Sequence, residues 1–162
     1  MLQTLLPGVQ HLQNIHPLVV HFPIAFLFGS ALFYLLALLI PRESMATIAF
    51  SLLILGTLGA VAAVGTGIYA EPGVMLAPSV RGHLLEKHQD FMIITLCVSI
   101  ILAIWSIIAR QFPRKGRALF NLLFFALLGI MSVGADYGAR MVYDYNAGGH
   151  ACPQPIEFVK KQ

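Results

Sequence analysis

The 162-residue chain is 58% hydrophobic and only 10% charged, with a mean hydropathy of +0.81, where soluble domains carry about a quarter charged residues. That balance excludes a soluble enzyme and places the chain in the lipid bilayer. The net charge of +3 is accounted for by membrane topology and gives no reason to invoke nucleic acid.

Residues 1–16 have no basic n-region, and no small-residue cleavage site ends the first apolar run, so helix 1 is expected to stay in the membrane and send its N-terminus outward. Four apolar stretches, at about 18–40, 47–70, 91–109 and 118–138, approach or exceed the roughly 20 residues that cross the hydrocarbon core as a helix. Pro17 and Pro23 flank the start of the first, where a missing N–H is tolerated. The second carries Gly56, Gly59, Ala60, Ala63, Gly65 and Gly67, small residues that allow close helix packing in lipid or clear space for a flat cofactor. Cys97 in the third reads as a small core residue, at a depth that argues against pairing with Cys152. The fourth has Gly134 and Gly138, and Asp136 is expected to pair with Arg140, four residues on. An outer tail, 139–162, follows. The fold class is therefore all-α, a single integral membrane domain forming a four-transmembrane-helix bundle.

Orientation follows from the basic residues. Arg42, Arg110, Arg114, Lys115 and Arg117 lie in the connectors after helices 1 and 3, against Arg81, Lys87 and Arg140 near the membrane on the other side. The positive-inside rule puts R-Q-F-P-R-K-G-R in the cytoplasm and both termini outside, as expected for a multi-pass protein of a bacterial inner membrane.

The histidines carry the functional signal. One offset, 67, relates His16 to His83 and His21 to His88, in the strings H-P-L-V-V-H and H-L-L-E-K-H, and the same offset relates Gly67 to Gly134. This predicts two repeated helix hairpins about an axis along the membrane normal. Each pair precedes a long apolar run, where an ionisable side chain is costly unless used. A spacing of five turns two helical side chains about 140° apart, so one metal clamped by both members of a pair is disfavoured. Haem b suits the geometry, taking one imidazole from each of two helices. His16 with His88 and His21 with His83 would make two equivalent sites, and His21 with His88 alone would make one. The competing reading is interfacial histidines that cap helices, meet headgroups or pair with Glu86, Asp90 or Asp136. Zinc or copper is disfavoured because regularly placed carboxylate or thiolate ligands are missing from the string. His150 and Cys152 in N-A-G-G-H-A-C-P-Q-P offer a further metal contact or an ordinary turn. Covalent haem attachment is excluded, since no C-x-x-C-H occurs.

At I-H-P-L-V-V-H-F-P-I-A-F-L, residues 15–27, the chain resembles a bacterial membrane family catalogued as domain of unknown function 2231. Thr66-Gly67 at the end of helix 2, the histidine-bearing start of helix 3 and G-A-R-M-V-Y (138–143) extend the likeness over about residues 14–145, whereas N-A-G-G-H-A-C-P departs from the family's usual ending. Members fused to, or encoded near, cytochrome c domains imply electron transfer. The expectation is a b-type cytochrome-like subunit, not a stand-alone enzyme, with one or two haems b on His16, His21, His83 and His88. Its partners would be the bilayer, a periplasmic cytochrome, other redox subunits or quinone. The alternatives are a non-catalytic accessory or assembly subunit with structural histidines, and a small metal-handling transporter. The almost wholly apolar helix centres count against the last.

Overall fold

The computed structural model describes residues 15–40, 42–74 and 76–147. They form four long helices, α1 (His16–Leu39), α2 (Glu43–Gly73), α3 (Pro78–Ile108) and α4 (Arg117–Tyr143), each long and apolar enough to cross a bilayer. α1 packs on α2 and α3 on α4, while α2–α3 and α1–α4 contacts close the ring. Short connectors make these neighbours antiparallel, so α1 and α3 run parallel and face each other diagonally.

Two helix starts are irregular for chemical reasons. α1 is interrupted at Val20, one residue after the carbonyl that Pro23, lacking an N–H, cannot reach as a donor. α3 opens with Pro78–Val80 and a wide π turn over Arg81–Leu85 before regular helix from Glu86. It thus begins well ahead of the apolar run at 91, and α4 likewise continues to Tyr143 rather than stopping at 138. Hydropathy marks what sits in hydrocarbon, whereas R-G-H-L-L-E-K-H-Q-D is polar yet helix-competent. It is anchored by Leu84 and Leu85 against Met141.

Burial exposes the repeat. On α1 and α3 the buried residues match at an offset of 72: Pro23 with Thr95, Leu27 with Ser99, Ser30 with Leu102, Ala31 with Ala103, and Tyr34 with Ser106. On α2 and α4 they match at an offset of 71: Ala49 with Phe120, Leu53 with Phe124, Gly56 with Leu127, Thr57 with Leu128, and Ala60 with Met131. The two hairpins are therefore in register at 71–72, which corrects the offset of 67. Five residues of slip is about 140° of helix rotation, so the shorter offset overlays outward-facing His21 on inward-facing His88. In the correct register His16 corresponds to His88, and the string H-L-Q-N-I-H (11–16) to H-L-L-E-K-H (83–88); His11 lies outside the described residues.

Paired positions exchange size across the axis: Leu27 opposes Ser99, and Ser30 opposes Leu102. The buried hydroxyls are satisfied locally, as a bilayer demands. Ser30 donates to the Ala49 carbonyl at 2.7 Å, Thr95 to Phe91 at 2.8 Å and Ser99 to Leu96 at 2.8 Å. At the connector end Tyr34 is fully buried among Phe112, Phe120 and Phe124, with ring centres 5.0, 4.8 and 5.8 Å away. Its hydroxyl bonds Ser106 and donates to the Gln111 carbonyl at 2.8 Å. Outward faces carry Phe22, Leu32, Ile101 and Leu122 to lipid. Cys97 is on that exposed face, not in the core.

Candidate functional site

At the end opposite these connectors, His16 of α1 and His88 of α3 meet across the bundle, both half-buried. Their ring centres are 6.4 Å apart and the planes 83° from parallel. Because the two are repeat-equivalent and the parent helices are diagonal, the pair straddles the pseudo-two-fold axis. A symmetry axis is where a residue meets its own counterpart.

Each imidazole is held by its own hairpin. His88 Nδ1 is 2.7 Å from the Gly134 carbonyl, an atom that only accepts, so Nδ1 carries the proton. His16 Nδ1 is 3.2 Å from Thr66 Oγ1. The Thr66 proton is directed to the carbonyls of Ala62 and Ala63, at 2.9 and 3.0 Å, so Oγ1 is the acceptor and His16 Nδ1 the donor. His16 also bonds the main chain of Ala63, which is the counterpart of Gly134 in the α2–α4 register. In the neutral rings this tautomer leaves both Nε2 atoms as the lone-pair nitrogens.

Glycines shape the floor. A Cβ on Gly67 would lie 3.1 Å from His16 Cε1, and one on Gly138 would lie 3.0 Å from His88 Cε1. Both contacts are tighter than ordinary packing permits. Gly67 and Gly138 are themselves counterparts in the α2–α4 register, so each ring lies edge-on over the same glycine of its repeat. On the α3–α4 side the site is buttressed by Phe91 stacked on Tyr137 at 5.8 Å and by the Leu84, Leu85 and Met141 cluster. Arg81 closes the α2–α3 connector through Glu71 at 2.7 Å.

The four predicted histidines therefore divide. His16 and His88 come together; His21 and His83 are exposed and do not join them. His150 and Cys152 lie outside the described residues. Among the described residues no group of three or more His, Cys, Asp or Glu side chains is assembled for a metal ion. Arg140 pairs with Asp144, at 3.5 Å, rather than with Asp136. The supporting residues Thr66, Gly67, Gly134 and Gly138 are visible in the sequence as small helix-packing positions, and Thr66-Gly67 also as part of the family likeness. Alignment of the two H-L-x-x-x-H strings, at an offset of 72, would have brought Gly67 within one residue of Gly138.

What the arrangement can do is chemically narrow. Two imidazoles that meet across the bundle, each with Nδ1 bonded to a main-chain or hydroxyl oxygen, have the donor chemistry that a bis-imidazole metal site would use. A linear nitrogen–metal–nitrogen unit, at roughly 2 Å per bond, sets ring centres about 6 Å apart, close to the 6.4 Å found. No curated protein and no solved structure matches the chain. The sequence profile described as "Predicted membrane protein (DUF2231)" matches residues 12–151, and the chain belongs to that family.

Proposed function

We propose that this bundle is a b-type cytochrome-like electron-transfer subunit that binds one haem b between His16 and His88. The observation carrying the reading is the facing of two repeat-equivalent imidazoles from diagonal helices, at a separation that suits one six-coordinate iron. A haem brings four equatorial nitrogens of its own and asks the protein for two axial ones, whereas zinc or copper ordinarily takes three or four protein ligands.

When bound, the haem supplies a one-electron couple. The residues described do the rest. Thr66 and the Gly134 carbonyl fix the tautomer and orientation of the rings, Gly67 and Gly138 let the ring edges approach α2 and α4, and the Leu84–Met141 cluster limits water. The site sits at one end of the bundle, which by the charge bias is the periplasmic end. A periplasmic cytochrome could then exchange electrons with it, and quinone or a larger redox complex would complete the path. The expected sidedness is an inner-membrane protein with outer termini.

One observation favours a second reading. His16–Thr66 and His88–Gly134 are also the bonds a structural histidine makes between the helices of a hairpin, as in a non-catalytic accessory subunit. They do not require the two rings to meet each other. The deciding experiment is the absorption spectrum of protein purified after expression with adequate haem supply. The expected result is a reducible pair of α and β bands typical of bis-histidine haem; a colourless protein overturns the proposal.

A further inference from the structure

The opposite end of the bundle holds a cavity of about 540 Å³ lined by Arg42, Arg110, Arg114 and Arg117 with a single acid, Glu43. Among the described residues the ion pairs are Arg81–Glu71 and Arg140–Asp144, both at the histidine end. The four arginines therefore leave the cavity with an excess of three positive charges over Glu43.

The rim is held in place. Arg110 and Gln111 adopt left-handed backbone angles, with φ of 53° and 89°, a conformation that persists in non-glycine residues only when neighbours over-determine it. Here Tyr34 and Ser106 both bond the Gln111 carbonyl, and Gln111 N–H returns to the Ser106 carbonyl at 2.8 Å. Arg117 is fixed by its Nε bond to the Pro113 carbonyl at 2.9 Å and by stacking over Phe112 at 4.9 Å. The guanidinium fork suits phosphate oxygens two at a time. Directly beside the cavity, Leu38, Leu39, Ile40, Ile107 and Ile108 present exposed apolar side chains, as acyl chains would need. The cavity thus lies where a span ends, at headgroup level, with cationic walls and an apolar flank.

We infer that this cavity binds the phosphate headgroup of an anionic phospholipid, with Arg42 and Arg110 as its principal contacts and the acyl chains along α1 and α3. Basic pockets between membrane helices recognise such headgroups. The inference is independent of haem binding.

The test is native mass spectrometry of the detergent-purified full chain, offered equimolar phosphatidylglycerol and phosphatidylcholine. Wild type is expected to retain phosphatidylglycerol preferentially. Arg42→Gln with Arg110→Gln should lower that preference ~20-fold, and Arg114→Gln alone ~5-fold, from the contribution of each basic residue near an anionic membrane. Lys115→Gln removes the same charge from the same connector but does not line the cavity, and should change the preference less than twofold. Equal retention of both lipids by wild type overturns the inference. So does an equal loss in Lys115→Gln, which would mark general charge attraction, or displacement of the lipid by millimolar inorganic phosphate, which would assign the cavity to a soluble anion.

Discussion

Two pairs of repeat-equivalent residues cross the same axis, His16 with His88 at one end and Tyr34 with Ser106 at the other, about 27 Å apart along the helices. At the tyrosine end both side chains are wholly buried, the hydroxyls share the Gln111 carbonyl, and aromatic rings fill the surroundings. At the histidine end the rings are half-buried, each Nδ1 is committed to its own hairpin, and the partners meet edge to face. Symmetry explains why a contact forms at both ends, and side-chain chemistry explains why only one is a closed lock. Tyrosine and serine converge as donors on one acceptor, the Gln111 carbonyl. Two imidazoles that both donate through Nδ1 to their own hairpins leave that proton unavailable to each other, so they meet by ring contact alone.

The comparison breaks most decisively if either histidine proves dispensable. His16→Ala and His88→Ala should each abolish the bis-histidine α and β bands, because either change removes one of the two facing imidazoles. Helical circular dichroism should be retained, since neither side chain belongs to the main buried core. Spectra of the two variants, side by side with wild type, check this.

The next largest effect should come from the glycines. Gly67→Ala and Gly138→Ala each place a methyl group 3.1 and 3.0 Å, respectively, from imidazole carbon. The ring is pushed from its Thr66 or Gly134 bond, and loss of such orienting contacts typically weakens metal affinity about 10–100-fold. Gly129→Ala on α4, with nothing within 4 Å of its added Cβ, is the matched control and should bind haem as wild type does. Haem titration of apoprotein separates the three.

The tyrosine end should respond in stability alone. Tyr34→Phe removes the hydroxyl that bonds Ser106 and Gln111, at a cost of about 1–3 kcal/mol for buried groups left short of a partner. Thermal unfolding should shift downward while the haem spectrum stays unchanged. A spectral change would mean the two ends are coupled and the contrast between them is false.

How much of this was legible follows from what each signal measures. Four spans and their connectors could be read from hydropathy, because lipid exposure constrains composition over about 20 residues at a time. The gathering of histidines near one end was legible from their positions just ahead of the apolar runs, since polar groups at such depths are costly. The register was not. His16/His83 and His21/His88 share a spacing by coincidence, and choosing between offsets of 67 and 72 requires knowing which helix face is buried. In a bilayer both faces are apolar: Leu27 on the inside and Leu32 on the outside look alike in the sequence. Cys97 reads as a core residue for the same reason. Serines and threonines give a partial remedy, as Ser30, Thr57, Thr95, Ser99 and Ser106 all face inward.

The smallest expected effect tests that register directly. His21→Ala and His83→Ala should leave haem content and spectrum within experimental error of wild type. His21 is on the exposed face of α1, adjacent to exposed Phe22, and His83 is exposed in the π turn of α3. Turning His21 toward the axis would take the rotation of about 140° that separates it from His16 and would carry Leu27 and Tyr34 out into lipid. That rotation dismantles the buried pairs that define the repeat. A loss of the bands in His21→Ala with a folded protein would therefore indict the register itself, and with it the correspondence of His16 to His88.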